Sequence, residues 1–454
     1  MAEPTRRATA PEQCQASTKE ATRMPLPVEA PSKTTPPMQL PDGEAGAFRH
    51  LAHSIVSRTL ARESEFRRMR RPELDVKDWK LLKQQEGLRV YKHRSVSKRA
   101  KQTEQTPVAK PSKRPMVLCV GSMEGELEDV LYGSHAKTRD EMQATLAFLC
   151  KGHVDCAILA KLESGSARDP YRQLSLKWLL SEILGDARLV NHRDLCFLES
   201  MGCGTDTQGE RYGYQLLQSV DFAGCPPLPE SSDIVRASVM MCCIYRQTPG
   251  SRVVDVYAKG MFDLGGDLPA FLVYSTSCAM MLSILGAMES AEAKRLTLSA
   301  LQTADATASS PSYVEPSVQD LELGAEMLTG GSLPSGYSLS ASNLSTDVSS
   351  TTSKLPKLVR GLSKGRRKTR QQRQKAEPCC VCGRKPAMAA LVGATHRACG
   401  VCARSVCSKC HVKRRLLAQP QPVAVACCKS CLLDVKQLSV DPRDPCPVLP
   451  PARD

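Results

Sequence analysis

Four Cys-x-x-Cys pairs near the C-terminus constrain this chain more than any other feature. They are Cys379/Cys382, Cys399/Cys402, Cys407/Cys410 and Cys428/Cys431. A Cys-x-x-Cys turn presents two thiolates to one ion, and Zn²⁺ takes four soft ligands in a tetrahedron. These eight cysteines therefore predict two zinc ions, which must supply folding energy because the segment has almost no core aromatic residues. The neighbouring Cys380 and Cys427 remain alternative ligands at this stage.

Cysteine usage is concentrated in this segment. Of the 21 cysteines, 11 lie at or beyond Cys379. The first residues contain no apolar stretch of signal-peptide length, so we expect a cytoplasmic protein. In a reducing compartment, clustered cysteine pairs favour metal binding over a disulfide framework.

The positive charge of the chain is also local. The formal net charge is +15, and residues 354–375 contribute ten Lys/Arg without a single acidic residue. A single short basic run argues against a nucleic-acid footprint spread over a folded face. Its densest part, with Arg366, Arg367, Lys368 and Arg370, has three interpretations: a patch attracting anionic lipid, a nuclear-import signal or a solvated charge run.

Composition divides the chain into segments. Residues 1–43 predict a disordered leader, and residues 44–72 an amphipathic helix that ends at Pro72. Residues 73–300 form the first folded block, residues 301–375 a disordered linker that is first Ser-rich and then basic. The cysteine module spans 376–438 and a Pro-rich tail spans 439–454.

The first folded block has short strand patterns in runs, which predict an antiparallel sheet. Residues 268–288 carry no charge and could cross a bilayer by length, but their Tyr, Ser and Thr content favours a buried core helix. Ala279 and other small residues lie beside the larger Met280 and Ile284. This mixture predicts a space for a ligand, with a fully packed core as the alternative.

Several motifs of this block resemble the START family of lipid-transfer domains, in the family's order. They include His192-Arg193-Asp194-Leu195 and Gly265-Gly266-Asp267-Leu268-Pro269, followed by a long helix. The resemblance implies an α+β helix-grip fold, in which a curved antiparallel sheet surrounds a long C-terminal helix and encloses an apolar lipid pocket. It makes Arg193 a pocket candidate, with a structural ion pair or an exposed strand end as the alternatives.

The cysteine module resembles a FYVE or FYVE-related finger. Four residues separate Cys402 from Cys407, and Cys402 stands where a RING finger normally has a second-pair His. The resemblance implies a small treble-clef-like, double-zinc finger with interleaved ligands. The first and third pairs would share one zinc, and the second and fourth pairs would share the other.

The module departs from the family where phosphatidylinositol 3-phosphate would bind. The basic motif before the third cysteine is reduced to His396 and Arg397, and the Arg expected before the last pair is Ala426. Leu391 and Val392 occupy the position of the family's membrane-dipping turret. We therefore predict zinc binding but leave phosphoinositide specificity open.

Catalytic motifs are missing around the eight His residues, so we expect a binding protein and not an enzyme. The leading hypothesis is a membrane-associated, lipid-binding protein in which a START-like pocket domain is tethered to a FYVE-type finger. The alternative is a zinc-finger adaptor for protein partners whose START-like block is only a scaffold. Expected partners are a lipid ligand and either an anionic membrane surface or a protein. Expected locations are cytoplasmic, peripheral on endosomal or other membranes, with the nucleus as alternative.

Overall fold

The computed structural model describes residues 37–69, 74–94, 116–149, 153–182, 191–308, 377–386 and 396–450. Most of the predicted leader, the whole basic run and the end of the tail lie outside these ranges. The described residues form one large sheet with four helices, followed by a small cysteine-rich module.

Ten strands form the large sheet. They are β1 Trp79–Gln85, β2 Leu88–His93, β3 Met116–Glu124, β4 His153–Glu163, β5 Gln173–Ser181, β6 His192–Thr205, β7 Arg211–Ser219, β8 Ile234–Arg236, β9 Ser238–Gln247 and β10 Val253–Asp263. The strand order is β1-β2-β3-β10-β9-β7-β6-β5-β4, and β8 pairs with β6. Every pairing is antiparallel except β6 with β8, which confirms the predicted kind of sheet.

Four helices cover the two faces of this sheet. They are α1 Asp42–Arg68, α2 Leu127–Ser134, α3 Arg139–Leu149 and α4 Ala270–Ala308. On one face, α4 packs Met281 and Leu285 into a core shared with β2, β3, β9 and β10. On the other face, α1 packs Ile55 against a core that contains Trp178. A sheet closed around a long C-terminal helix is the predicted α+β helix-grip fold, which is thereby confirmed.

The apolar character of α4 comes from its place in the core. Among the described residues it is the one helix long and apolar enough to span a membrane, but half of its most apolar window is buried inside the protein. The helix also meets α2 at very short range, because a Cβ at Gly133 would lie 1.8 Å from the Ala287 carbonyl oxygen. Protein contacts therefore account for its composition, as predicted for a core helix.

The cysteine module consists of two β-hairpins and a final helix. The strands are β11 His396–Ala398, β12 Ser405–Cys407, β13 His411–Leu416 and β14 Val423–Cys428, and the helix is α5 Lys429–Gln437. The pairs β11–β12 and β13–β14 form separate two-stranded sheets. This compact order of hairpins and helix agrees with the predicted treble-clef-like finger.

A buried ion-pair network fixes α1 to the sheet. The Arg246 guanidinium on β9 donates two hydrogen bonds to the Glu63 carboxylate, at 3.1 and 3.0 Å, and one to Asp206 at 2.7 Å. The Arg246 and Glu63 side chains are only 6% and 4% exposed. Since a buried charge without its partner is costly, this contact sets the position of α1 along the sheet.

We predict that Glu63→Ala destabilises the protein by about 2 kcal/mol, because it removes two charge-assisted bonds from a buried guanidinium that keeps Asp206 and Glu210 as partners. Urea unfolding followed by the fluorescence of buried Trp178 measures the change. The matched control is Glu65→Ala on the same helix, whose carboxylate is half exposed and pairs with Arg62. Equal effects of the two changes would contradict the assignment.

Candidate lipid cavity and metal centres

A cavity of about 330 Å³ lies between the sheet and helices α3 and α4. Strands β5, β6, β7, β9 and β10 supply one wall, and the two helices supply the other. All four pocket candidates from the sequence line it: Arg193, Ala279, Met280 and Ile284. The structure thus brings these residues to a real cavity, while their contact with a lipid stays a prediction.

The cavity wall contains a buried charged pair that the sequence analysis missed. Lys177 on β5 forms an ion pair with Glu199 on β6 and donates a 2.9 Å hydrogen bond to the Ala136 carbonyl. Gln173 and Gln215 donate to the same carboxylate, at 3.1 and 3.3 Å. A lone Lys in the otherwise apolar run of β5 was the available sequence signal. The charges of Lys177 and Glu199 cancel, and the remaining hydrogen-bond partners of both side chains come from neighbouring protein groups.

Arg193 has a structural role at the start of α4. Its guanidinium donates to the carbonyl oxygens of Leu264 at 3.0 Å and Gly265 at 3.3 Å, and also to that of Asn191. Gly265 and Gly266 both have φ +66°, a left-handed conformation that favours glycine. Burial lowers the pKa of Arg193. The side chain thus holds the turn before α4 while one of its sides faces the cavity.

The alternative of a structural ion pair applies to Asp194, whose partner is Arg236 and not the neighbouring Arg193. The Asp194 carboxylate accepts hydrogen bonds from Nε and Nη2 of the Arg236 side chain, at 2.9 and 2.8 Å. It also accepts one from the indole N–H of Trp178 at 3.0 Å. Asp194 on β6 therefore links the side chains of β5 and β8 and has a structural role.

Two threonine hydroxyls in the cavity wall lack a hydrogen-bond partner among the described residues. They belong to Thr145 on α3 and Thr276 on α4, which are 4% and 7% exposed. A buried hydroxyl without a partner costs roughly 1–3 kcal/mol. A ligand with a hydrogen-bonding group would remove that cost.

The eight predicted cysteines form two groups of four. The first group is Cys379, Cys382, Cys407 and Cys410, and the second is Cys399, Cys402, Cys428 and Cys431. Within each group all Sγ atoms lie within 4.8 Å of one another. The first Cys-x-x-Cys pair thus meets the third, and the second meets the fourth. This is the interleaved arrangement that the finger resemblance implied.

The sulfur spacing fits a tetrahedral metal site. The Sγ–Sγ distance is 3.7 Å for Cys382–Cys407, 4.0 Å for Cys399–Cys431 and 3.9 Å for Cys402–Cys428. Four thiolates at the usual 2.3 Å from Zn²⁺ lie about 3.8 Å apart. Each group can therefore hold one metal ion.

The two remaining cysteines of the finger are neighbours of the second group and not members of either group. A hydrogen bond from the Cys427 thiol is the main cause that lowers the pKa of Cys399 to about 4. The same contact raises the pKa of Cys427, and burial raises the pKa of Cys380. The geometry favours the ligand assignment made from the sequence.

The headgroup candidates are only partly described. Leu391, Val392 and the four basic residues 366–368 and 370 lie outside the described residues. On β11, the ring Nε2 of His396 lies 2.9 Å from the Arg384 carbonyl oxygen, in the turn of the first metal group. Arg397 is the next residue of the strand and is half-buried. His396 thus has a structural contact in addition to its predicted role.

The finger lies directly against the C-terminal half of α4. Leu296 is fully buried in the core of the finger, and the Leu417 N–H donates to the Thr297 hydroxyl at 2.9 Å. At the rim, Arg414 pairs with Glu292 at 2.5 Å. Nothing in the sequence analysis predicted this docking.

Comparisons with known proteins give structural likenesses only. A scan against models of known protein families finds no match, and a search of curated proteins finds no similar sequence. Human StAR-related lipid transfer protein 5 is similar over 54% of this chain and 98% of its own, with 16% identity and TM-score 0.35. Human STARD10 is similar over 61% and 91%, with 15% identity and TM-score 0.34. The human StarD13 (DLC2) lipid transfer and protein localization domain is similar over 47% and 88%, with 14% identity and TM-score 0.31. Because these scores are low, the fold assignment rests on the strand order and on the position of α4.

We predict that the purified chain carries two metal ions and that Cys407→Ser loses at least one of them. The change leaves the first group with three thiolates, so the finger should also lose its folded structure. Elemental mass spectrometry of protein purified without chelators measures the metal content. The matched control is Cys380→Ser, which should retain both ions. Equal metal loss in the two variants would show that the ligand set is wrong.

Proposed function

We propose that this chain is a lipid-binding protein and not an enzyme, and that its cavity takes a neutral lipid with one hydrogen-bonding group. The single observation that carries this proposal is the cavity between the sheet and α4, with apolar walls such as Leu195, Phe197 and Met280. Apolar walls with a few convergent polar groups are typical of small-molecule sites. The cavity lining contains no His or Cys that would suggest covalent or acid–base catalysis.

The charges of the cavity support a neutral ligand. A phosphate buried at this depth would require a cation to compensate its charge. The Lys177 ammonium is already paired with Glu199. The Arg193 guanidinium keeps its charge, but its N–H groups are committed to main-chain carbonyls. The remaining cation of the lining, Lys83 on β1, is exposed to solvent and not buried with the ligand space. The hydroxyls of Thr145 and Thr276, by contrast, would suit a hydroxyl or carbonyl group.

We further propose that the finger binds two zinc ions and is a FYVE-related module. All-thiolate sets of four are typical of structural zinc sites, and the sulfur spacing matches Zn–S bond lengths. Bound zinc would supply structural rigidity to the finger. The reduced basic motif, His396 with Arg397, argues against tight recognition of one phosphoinositide.

The basic run is the proposed membrane attachment site. It places ten positive charges in residues 354–375, directly before the finger. Each charge near an anionic surface contributes about 1 kcal/mol at best, so the run outweighs what His396 and Arg397 add. Together with a lipid cavity, this favours a protein that works at the surface of anionic membranes.

Lipid extraction and mass spectrometry on the purified full chain test the cavity. We expect a neutral lipid, and we expect Ala279→Phe to reduce the bound amount because the new ring fills the cavity. Without a cavity, the same overpacking would instead cost about 1–3 kcal/mol of stability. The matched control is Ala306→Phe, at the exposed end of the same helix. Absence of any lipid would favour the adaptor alternative, and a phospholipid as the main ligand would contradict the neutral-lipid proposal.

Vesicle binding at two salt concentrations tests the membrane proposal. Binding should follow total anionic lipid, with equal response to phosphatidylserine at matched charge and to phosphatidylinositol 3-phosphate. It should weaken with salt, because exposed charges are screened over about 8–10 Å at physiological ionic strength. Replacing Arg366, Arg367, Lys368 and Arg370 by Gln should abolish binding, while His396→Gln with Arg397→Gln should have little effect. The opposite ranking of the two variants would assign membrane binding to the finger.

A further inference from the structure

Helix α3 separates the cavity from the finger. Its inner side contributes Thr145, Leu146 and Leu149 to the cavity wall. Its outer side carries Ala144 and Phe148, which are buried in a small apolar cluster outside the cavity. One short helix therefore has the lipid site on one side and the finger on the other.

The β13 end of the finger supplies the centre of that outer cluster. Leu417, directly after β13, is fully buried with Ala144, Phe148 and Ala293. Arg415 donates a 3.2 Å hydrogen bond to the Phe148 carbonyl, and its guanidinium carbon lies 4.0 Å from the centroid of the Phe148 ring. These contacts hold the C-terminal end of α3.

The segment after α5, residues 438–449, holds the other end of α3, and we name it the C-terminal strap. Lys137, before α3, donates to the carbonyls of Arg443, at 2.6 Å, and Asp444. The Glu141 carboxylate on α3 accepts the Cys446 N–H at 3.0 Å. The Leu449 N–H donates to the Leu417 carbonyl at 2.8 Å, so strap and finger form one continuous brace.

Among the elements that line the cavity, α3 has fewer hydrogen-bond constraints than the sheet and α4. The sheet wall is held by continuous ladders of hydrogen bonds, and α4 is anchored by the residues that it buries between Thr276 and Thr297. The 11-residue helix α3 belongs to no ladder. It is held by side-chain packing, by the bonds of Arg139 at its first turn to Asp155 and the Cys156 carbonyl on β4, and by the brace. Local opening is drawn from the elements with the fewest such constraints.

We propose that the finger and its C-terminal strap brace α3 against the cavity, so that release of this brace controls the rate at which lipid enters and leaves. This inference rests on the proposed lipid-binding function. It assigns the finger a role inside the molecule, in addition to any membrane contact. Weakening the brace should speed exchange without changing the number of lipid molecules held at saturation.

Transfer of a fluorescent probe, NBD-labelled cholesterol, from the full-length protein to phosphatidylcholine vesicles tests this proposal. Leu417→Ala removes packing from the centre of the brace and should raise the transfer rate about tenfold, which corresponds to ~1.4 kcal/mol. Lys137→Met removes two hydrogen bonds from the strap and should raise the rate by a smaller factor. The matched control is Leu433→Ala, an exposed position of the same finger, which should transfer at the unchanged rate.

Each outcome of this experiment has one meaning. If the wild-type protein does not bind the probe at all and carries no extracted lipid, the proposed function fails before the brace is in question. If the probe binds and both brace variants transfer it at the wild-type rate, the brace proposal is overturned. Should Leu417→Ala lose its metal or unfold, Lys137→Met decides alone, because it changes a half-buried side chain at the surface of the strap.

Discussion

The burial of α4 is the constraint on which the rest of the structure depends. The helix has 39 residues, roughly 58 Å at 1.5 Å per residue, and the sheet covers only part of it. Its first half buries Met281 and Leu285 in the sheet core, and its second half buries Leu296 in the finger. The sheet domain and the finger, which look separate in the sequence, thus each bury one half of the same helix. The cavity is the space that this arrangement leaves between α4, α3 and the sheet.

The parts of the fold set by local chemistry could be predicted from the sequence. Each Cys-x-x-Cys pair could be predicted to share an ion because its two thiols lie on one short turn. The interleaving of the pairs was implied by the family resemblance, and the sulfur positions match it. The antiparallel sheet follows from strand runs joined by turns, and the core helix from its uncharged sequence. Arg193, Ala279, Met280 and Ile284 line the cavity because the motif around Gly265 and Gly266 fixes where α4 begins.

The parts set by distant contacts could not be predicted. Lys177 and Glu199 meet only because β5 and β6 pair in one particular register, which no local pattern specifies. Leu417 packs on Ala144, although the two residues are far apart along the chain. The contact of the C-terminal strap with α3 was not predicted either. The partner of Asp194 could not be predicted for the same reason, since Arg236 comes from another strand. The FYVE type of the finger, its zinc and its membrane role remain proposals.

The finger is docked on α4 and α3 and does not swing freely on its linker. The most direct test is a distance distribution between two fluorophores on non-natural residues, one at Gln208 in the exposed β6–β7 turn and one at Leu433 on the exposed side of α5. A docked finger predicts one narrow distribution that does not change when the linker is lengthened. A broad distribution that shifts with linker length would show that the finger is not docked.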